Sequence, residues 1–366
     1  MDVDALQDDP LARIRALQSP ETRARLEIMQ RVKSRFLHTD RYDDLSVVFQ
    51  ELLDDLTLCA DPKLPTGEGN RREGGAIVLV GESGAGKSLA LKRLVARHPV
   101  FPGYCVPRSG CAAVYVRVPS YCTYKALGRI TLRQLGMPIK GNPPAHIVWE
   151  KVFERLEHLR NVVLHFDEMH NVTVEADDDE IKHVRNMIKT LATSPTWPII
   201  VLISGLPDLI DLTQPISEIR RRCKHMEFAS LKLPDDIATV GHALTDMAGL
   251  ANMTVNASTF DALVPRLIHA ALYQLGTSIE LSQHAISLAL KQGATEVVRE
   301  HFATVFAART GCFAPDNPFL APNWAETDCT KVLGKGSTEN EEQCDEDEVV
   351  AAERRSRKLK SKRRRR

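Results

Sequence analysis

No run of about 18 apolar residues occurs in the chain, so nothing in it has the length and character of a membrane-crossing helix. The amino terminus, MDVDALQDDP, is acidic where a secretory leader would be basic and then apolar. The expected location is the cytoplasm. No C-x-x-C pair is found among the eight cysteines, which are scattered from Cys59 through Cys105, Cys111, Cys122, Cys223, Cys312 and Cys329 to Cys344. That scatter argues against a disulfide framework and reads as reduced thiols. The trio Cys105, Cys111 and Cys122 matches no usual zinc spacing, which leaves buried or incidental thiols as the better reading. There is no internal repeat and no N-K-x-D stretch of the kind that selects guanine. Net charge is also lacking, with 48 basic residues against 48 acidic ones.

What is present is an ordinary soluble composition, 43% hydrophobic and 26% charged, over 366 residues, enough for two or three compact units with a buried core. The charge balance conceals an asymmetry. Residues 354–366, RRSRKLKSKRRRR, hold ten basic groups, and residues 339–353 hold eight acidic ones. Without them, residues 1–338 keep 38 basic and 40 acidic side chains, so bulk charge does not mark the body as a nucleic-acid binder and any such site must be a local patch.

Apolar runs of strand length lie at 76–80, 112–118, 162–166 and 199–204, with a weaker one at 225–228. Helical patterns such as SLALKRLVARH and DEIKHVRNMIKTLA fall between most of them. Alternating strands and helices predict an α/β unit with a parallel sheet covered on both faces. Ahead of it, Ser19 and Pro20 form a helix start before ETRARLEIMQRVKSRFL, and YDDLSVVFQELLDDL repeats the helical spacing. After Pro234 only helical patterns remain. The expected organisation is a helical segment and linker over 1–60, an α/β core over 61–233, a small all-helical domain over 234–312 and a disordered acidic, then basic, tail over 313–366.

The chemistry is concentrated in AIVLVGESGAGKS. Gly81, Glu82, Ser83, Gly84, Ala85, Gly86, Lys87 and Ser88 fit G-x-x-x-x-G-K-[ST] directly after a strand and directly before a helix, the context the motif needs. Glycines let backbone N–H groups converge on phosphate oxygens, the lysine reaches the outer phosphates, and the serine can ligate Mg2+. ATP with Mg2+ is the expected cofactor. The second piece, NVVLHFDEMHN, ends an apolar run in adjacent carboxylates: Asp167 would serve the magnesium or its water, and Glu168 would orient and deprotonate an attacking water. For His170 two readings stand, a nucleotide-sensing role or a loop histidine contacting backbone. Ser204, which ends WPIIVLIS, is either a sensor of the outer phosphate or the start of a Ser-Gly turn. Arg220, Arg221 and Arg222 are candidates for an arginine supplied to a neighbouring subunit's phosphate site, although three consecutive arginines cannot all point one way.

Phosphate loop, Asp-Glu strand, polar strand end, arginine cluster and helical lid, in that order, resemble an AAA+ P-loop ATPase. The details VGESGAGKS, DEMHN, ISGLPDL and RRRC are similar to the TniB family of ATP-dependent transposition regulators, related to TnsC and MuB, over residues 20–310. The resemblance implies a bacterial homo-oligomer, ring or filament, assembled with ATP on double-stranded DNA. It further implies recruitment or activation of a DDE transposase, and a place for another transposition protein, with hydrolysis driving disassembly. It assigns Lys87 and Ser88 to phosphate and magnesium, Asp167 and Glu168 to hydrolysis, and the finger to Arg220–Arg222. DNA contacts in such assemblies come from a loop after the second strand, here PSYCTYKALGR, with Tyr121, Tyr124, Lys125 and Arg129; an ordinary amphipathic helix start is the competing reading. One departure is the lid sequence TSIELS after Gly276, which has no arginine where many AAA+ lids carry a second sensor. The rival function is a nucleotide-binding signalling or scaffold module with no DNA role; a P-loop kinase is disfavoured by the paired carboxylates.

Overall fold

The computed structural model describes residues 10–333 except 65–66, 68, 71, 107–108, 174–175 and 214–221. In chain order the longer elements are α1 (Pro10–Ala16), α2 (Pro20–Ser34), α3 (Asp40–Thr57), β1 (Ala76–Val80), α4 (Lys87–Arg97), β2 (Ala113–Arg117), α5 (Tyr124–Gln134), α6 (Ala145–His158), β3 (Val163–Asp167), α7 (Asp178–Thr193), β4 (Ile200–Gly205), β5 (Cys223–Glu227), α8 (Ile237–Leu250), α9 (Ala257–Ala270), α10 (Leu275–Lys291) and α11 (Arg299–Thr310). They fall into two compact units, one spanning Leu37–Ser230 and the other joining the residues up to Phe36 to those from Leu231 onward. Among the described residues no helix is long and apolar enough to cross a membrane.

The first unit is built on a parallel sheet in the order β2-β3-β4-β1-β5. All five residues of β1 are buried, because this strand is paired on both sides, Ala76 lying opposite Val201 of β4 and opposite Cys223 of β5. A strand covered on both faces must be apolar throughout, which is why 76–80, 163–167 and 200–205 read as near-continuous hydrophobic runs. β5 is an edge strand in which only Cys223 is buried, and its apolar signal is correspondingly weak. Helix α3 turns Tyr42, Leu45, Phe49 and Leu52 inward at helical spacing, and α7 does the same with Val184, Met187, Ile188 and Leu191. Helix α6 buries Val148, Trp149, Val152 and Leu156, and Trp149 is tied to the start of α5 by a 3.0 Å bond from its indole N–H to the Tyr124 carbonyl.

In the second unit, Ser19 caps α2 by accepting from the Thr22 N–H at 3.2 Å, with Pro20 in the first turn, as the sequence predicts. The expected single helical segment over 1–60 is divided. Met29 and Val32 of α2 are buried where that helix packs on α8 and α10, whereas the apolar face of α3 serves the sheet unit. The boundary thus follows which partner each apolar stripe meets. The expected disorder from 313 onward is corrected for residues 313–333, which form three short 3-10 turns. Phe319 is fully buried against Phe302 and Phe306, and Arg266 donates to the carbonyls of Pro318 and Ala321 at 2.7 and 2.8 Å. Trp324 against Arg266 and His269, fully buried Val332 and a bond from Arg309 to the Val332 carbonyl at 2.6 Å add to these contacts, and together they order the segment. The acidic block and basic run of the tail lie outside the described residues.

Candidate nucleotide site

The site sits at the carboxyl ends of the strands, where an open parallel sheet leaves a crevice. Gly81 leaves β1 so close to the edge strand that a Cβ there would stand 2.7 Å from the Phe228 carbonyl oxygen; only glycine fits. Glu82, Ser83, Gly84 and Ala85 make the turn, closed by the Ala85 N–H on the Glu82 carbonyl at 3.1 Å. Gly86 then takes φ 95°, a left-handed conformation natural to glycine, and α4 begins with no side-chain cap. Its first N–H groups are therefore free to face an anion, reinforced by the helix dipole. Lys87 is buried, and its Nζ donates to the carbonyls of Gly81 and Glu82 at 2.8 and 2.9 Å. Burial lowers its pKa, against the opposing pull of Glu168, Asp167 and Glu82.

Asp167 ends β3. Strand β4 lies between β1 and β3, so the carboxylate must reach past the end of β4 to meet the phosphate loop, and Ser204 of β4 stands in that gap. Ser88 Oγ and Ser204 Oγ both donate to Asp167 Oδ1, at 2.7 and 2.6 Å. The other oxygen, Oδ2, accepts from the Tyr115 hydroxyl at 2.8 Å and lies 3.7 Å from Lys92 Nζ. Burial works to raise the pKa of this carboxyl, but hydrogen bonds from Ser204 and Ser88, the charge of His165 and the bond from Tyr115 outweigh it, and the net shift is downward. The site thus holds an ionised carboxylate beside a serine hydroxyl at the phosphate loop.

Glu168 follows with φ 60° and ψ 39°, a left-handed conformation that costs a non-glycine residue about 1–2 kcal/mol. Its Oε2 lies 3.5 Å from His170 Nδ1, an atom otherwise without a hydrogen-bond partner. Burial lowers the His170 pKa, with Glu168 acting in the opposite direction. The short helical turn after Glu168 is fastened by Asn171, whose side-chain amide donates to the Val118 carbonyl at 3.0 Å.

Residues 70–212 match the family model described as an AAA domain. Among solved structures, Cdc6p of Pyrobaculum aerophilum is similar at a TM-score of 0.52 and 13% identity, covering 76% of this chain and 70% of that one. The ORC1 protein of Aeropyrum pernix, solved in complex with DNA, is similar at a TM-score of 0.50 and 15% identity, covering 76% and 67%. The fold is that of the AAA+ ATPases. No curated protein matches the sequence.

Within the AAA+ unit the remaining candidates are dispersed. Arg222 immediately precedes β5, whose first residue faces the first residue of β1, so it lies at the amino end of the strands, whereas the phosphate loop of its own chain lies at their carboxyl end. There it pairs with Glu73 at 2.9 Å. Arg220 and Arg221 lie outside the described residues. Tyr121 is exposed, with φ 56°. Lys125 donates to Asn142 Oδ1, and Arg129 donates to the carbonyls of Gly141 and Ile139 at 2.8 and 3.3 Å, so both cations brace the 139–142 loop. Tyr124 is stacked between Trp149 and His183, with ring centroids at 5.2 and 5.4 Å.

Sequence reasoning missed Tyr115, Lys92 and His165. A signal existed for two of them. Lys92 is four residues after Ser88 and so shares its helix face, and His165 is two residues before Asp167 and so shares its strand face. His165 is fully buried, 2.6 Å from the Tyr104 hydroxyl through Nδ1, and burial drives its pKa down to about 4. An unfolded chain takes up this proton near pH 6.5 and the folded one only near 4, so stability is present above 6.5 and is lost as the pH falls toward 4. In magnesium-free buffer, the step from pH 7.5 to pH 5 is expected to cost about 2 kcal/mol through this residue alone. Urea midpoints at the two pH values check it: His165→Gln should flatten the difference, and an equal drop in both proteins would count against the assignment.

Proposed function

We propose that the protein is a magnesium-dependent AAA+ ATPase that assembles as a homo-oligomer on double-stranded DNA and recruits or activates a DDE transposase. The observation that carries the ATPase reading is the convergence of Ser88, Ser204 and Asp167 at the foot of the phosphate loop, with Glu168 as the next residue. The residues fit Mg2+ and a nucleoside triphosphate: hydroxyl and carboxylate oxygens suit a hard cation, α4 begins without a side-chain cap, and a Cβ built on Gly86 meets nothing within 4 Å. Magnesium, when bound, neutralises charge that develops on the phosphates. Lys87 would exchange its two loop carbonyls for phosphate oxygens. Ser88 would offer an oxygen lone pair to the metal while its O–H donates to Asp167, which would hold the ion or its water. Glu168 would accept the proton of the attacking water, and Ser204 would report the outer phosphate through its bond to Asp167. The position of Arg222, at the amino end of the strands and so away from its own phosphate loop, supports a role for one of Arg220, Arg221 and Arg222 in a neighbouring subunit's site.

The DNA and transposase parts of the proposal are supported by the likeness of VGESGAGKS, DEMHN and ISGLPDL to the TniB family. The decisive measurement is ATP turnover with and without duplex DNA, at several salt concentrations. Stimulation that weakens as salt rises is the expected result. Turnover indifferent to DNA would replace this reading with a nucleotide-driven scaffold, for which the engagement of Lys125 and Arg129 within their own chain is the favouring observation.

A further inference from the structure

The two oxygens of Asp167 are held by different kinds of partner. Oδ1 takes the hydroxyls of Ser88 and Ser204; Ser88 belongs to the phosphate loop, and its oxygen lone pairs could serve a metal while its O–H still donates to this carboxylate. Oδ2 takes the hydroxyl of Tyr115, a residue of β2 with no place in the phosphate loop. The Tyr115 ring is itself fixed: its centroid is 5.2 Å from that of His165 in an edge-on arrangement, and Lys92 Nζ stands 4.2 Å from it on the ring face. Burial and the Asp167 carboxylate both push the Tyr115 pKa up, so the phenol keeps its proton and can only donate to this oxygen. Lys92 completes the arrangement with an ammonium 3.7 Å from Oδ2 and a side chain 38% exposed, placed by α4 one turn beyond Ser88.

We propose that Tyr115 is a positioning residue that holds the Asp167 carboxylate in its metal-facing rotamer, and that Lys92 is a tethered cation competing with Mg2+ for that carboxylate. The inference rests on the magnesium and ATP reading above. Its two halves predict opposite signs. Loss of the phenol frees the carboxylate to rotate, and removal of such an outer-shell bond typically weakens metal binding about 10–100-fold. Loss of the ammonium removes a repulsive charge from the metal's neighbourhood and should strengthen it.

The test is a Mg2+ titration of full-length protein with a fluorescent ATP analogue, alongside affinity for the same analogue in EDTA. Tyr115→Phe, which keeps the ring and its packing, should raise the half-saturating Mg2+ concentration about tenfold or more, with affinity in EDTA unchanged within about twofold. Lys92→Met should lower the half-saturating concentration. A wild-type Mg2+ requirement in Tyr115→Phe, or an equal loss in EDTA, would overturn the role of Tyr115, and a raised requirement in Lys92→Met would overturn that of Lys92. Wild-type protein that binds the analogue without regard to Mg2+ would overturn the magnesium reading itself, which separates that failure from failure of this inference.

Discussion

Glu168→Gln is expected to lower ATP turnover by about 10²–10⁴-fold while leaving nucleotide affinity within about twofold of wild type. The separation follows from the placement of the two carboxylates. Asp167 is buried, accepts three hydroxyl hydrogen bonds and is tied to the phosphate loop through Ser88, the placement expected of a residue that serves binding in the proposed function. Glu168 accepts none of those bonds and lies beside His170, in a backbone conformation that nothing in local chain chemistry favours for glutamate. Glutamine keeps the shape and the backbone but cannot take a proton from water. Single-turnover hydrolysis and equilibrium binding of ATP, measured on the same preparation, decide the matter. Parallel losses in both would mean that Glu168 supports the loop and not the reaction.

Lys87→Ala should weaken ATP binding by about 100-fold or more, since two charge-assisted hydrogen bonds of roughly 1.5–3 kcal/mol each are lost. The ammonium is already desolvated, being 7% exposed and seated on the carbonyls of Gly81 and Glu82, so little further desolvation opposes its transfer to phosphate oxygens. Truncation has a second consequence. It strips the loop carbonyls of their donor, so the nucleotide-free protein should also lose stability, by about 1 kcal/mol or more. Calorimetric binding together with urea unfolding separates the effects, and Lys87→Met, which refills the space without charge, should recover part of the stability and none of the affinity. Retention of wild-type affinity in Lys87→Met would show that the cation is not what holds the phosphates.

Much of this site is legible along the chain because its parts are contiguous. The phosphate loop is a strand, eight residues and a helix, and each step has a local physical cause: an apolar run, glycines where a side chain would collide with the edge strand or strain the backbone, and a lysine opening the helix. The Asp-Glu pair is legible for the same reason, since a buried strand that ends in one carboxylate and is followed at once by another needs an explanation. Helix α6 has no comparable signal. Its apolar stripe of Val148, Trp149, Val152 and Leu156 follows the prolines of GNPPAH with no side-chain cap, and its existence is settled by packing on α5.

Linear order was thus sufficient for the fold class, for the strand-loop-helix form of the glycine-rich loop and for placing Asp167 and Glu168 at the end of a buried strand, because propensity, capping and close-approach constraints act within a few residues. Position in space was not available from it. That Ser204 fills the gap between Ser88 and Asp167 depends on β4 being inserted between β1 and β3. That Tyr115 and Lys92 converge on the second oxygen of Asp167 depends on the register Arg117↔Asp167 between β2 and β3 and on the pitch of α4. That Lys125 and Arg129 are committed to the 139–142 loop depends on where that loop returns. Each is a pairing between distant segments, chosen by the burial of whole faces of the sheet and its helices, and no local rule along the chain encodes which distant side chains such burial will bring together.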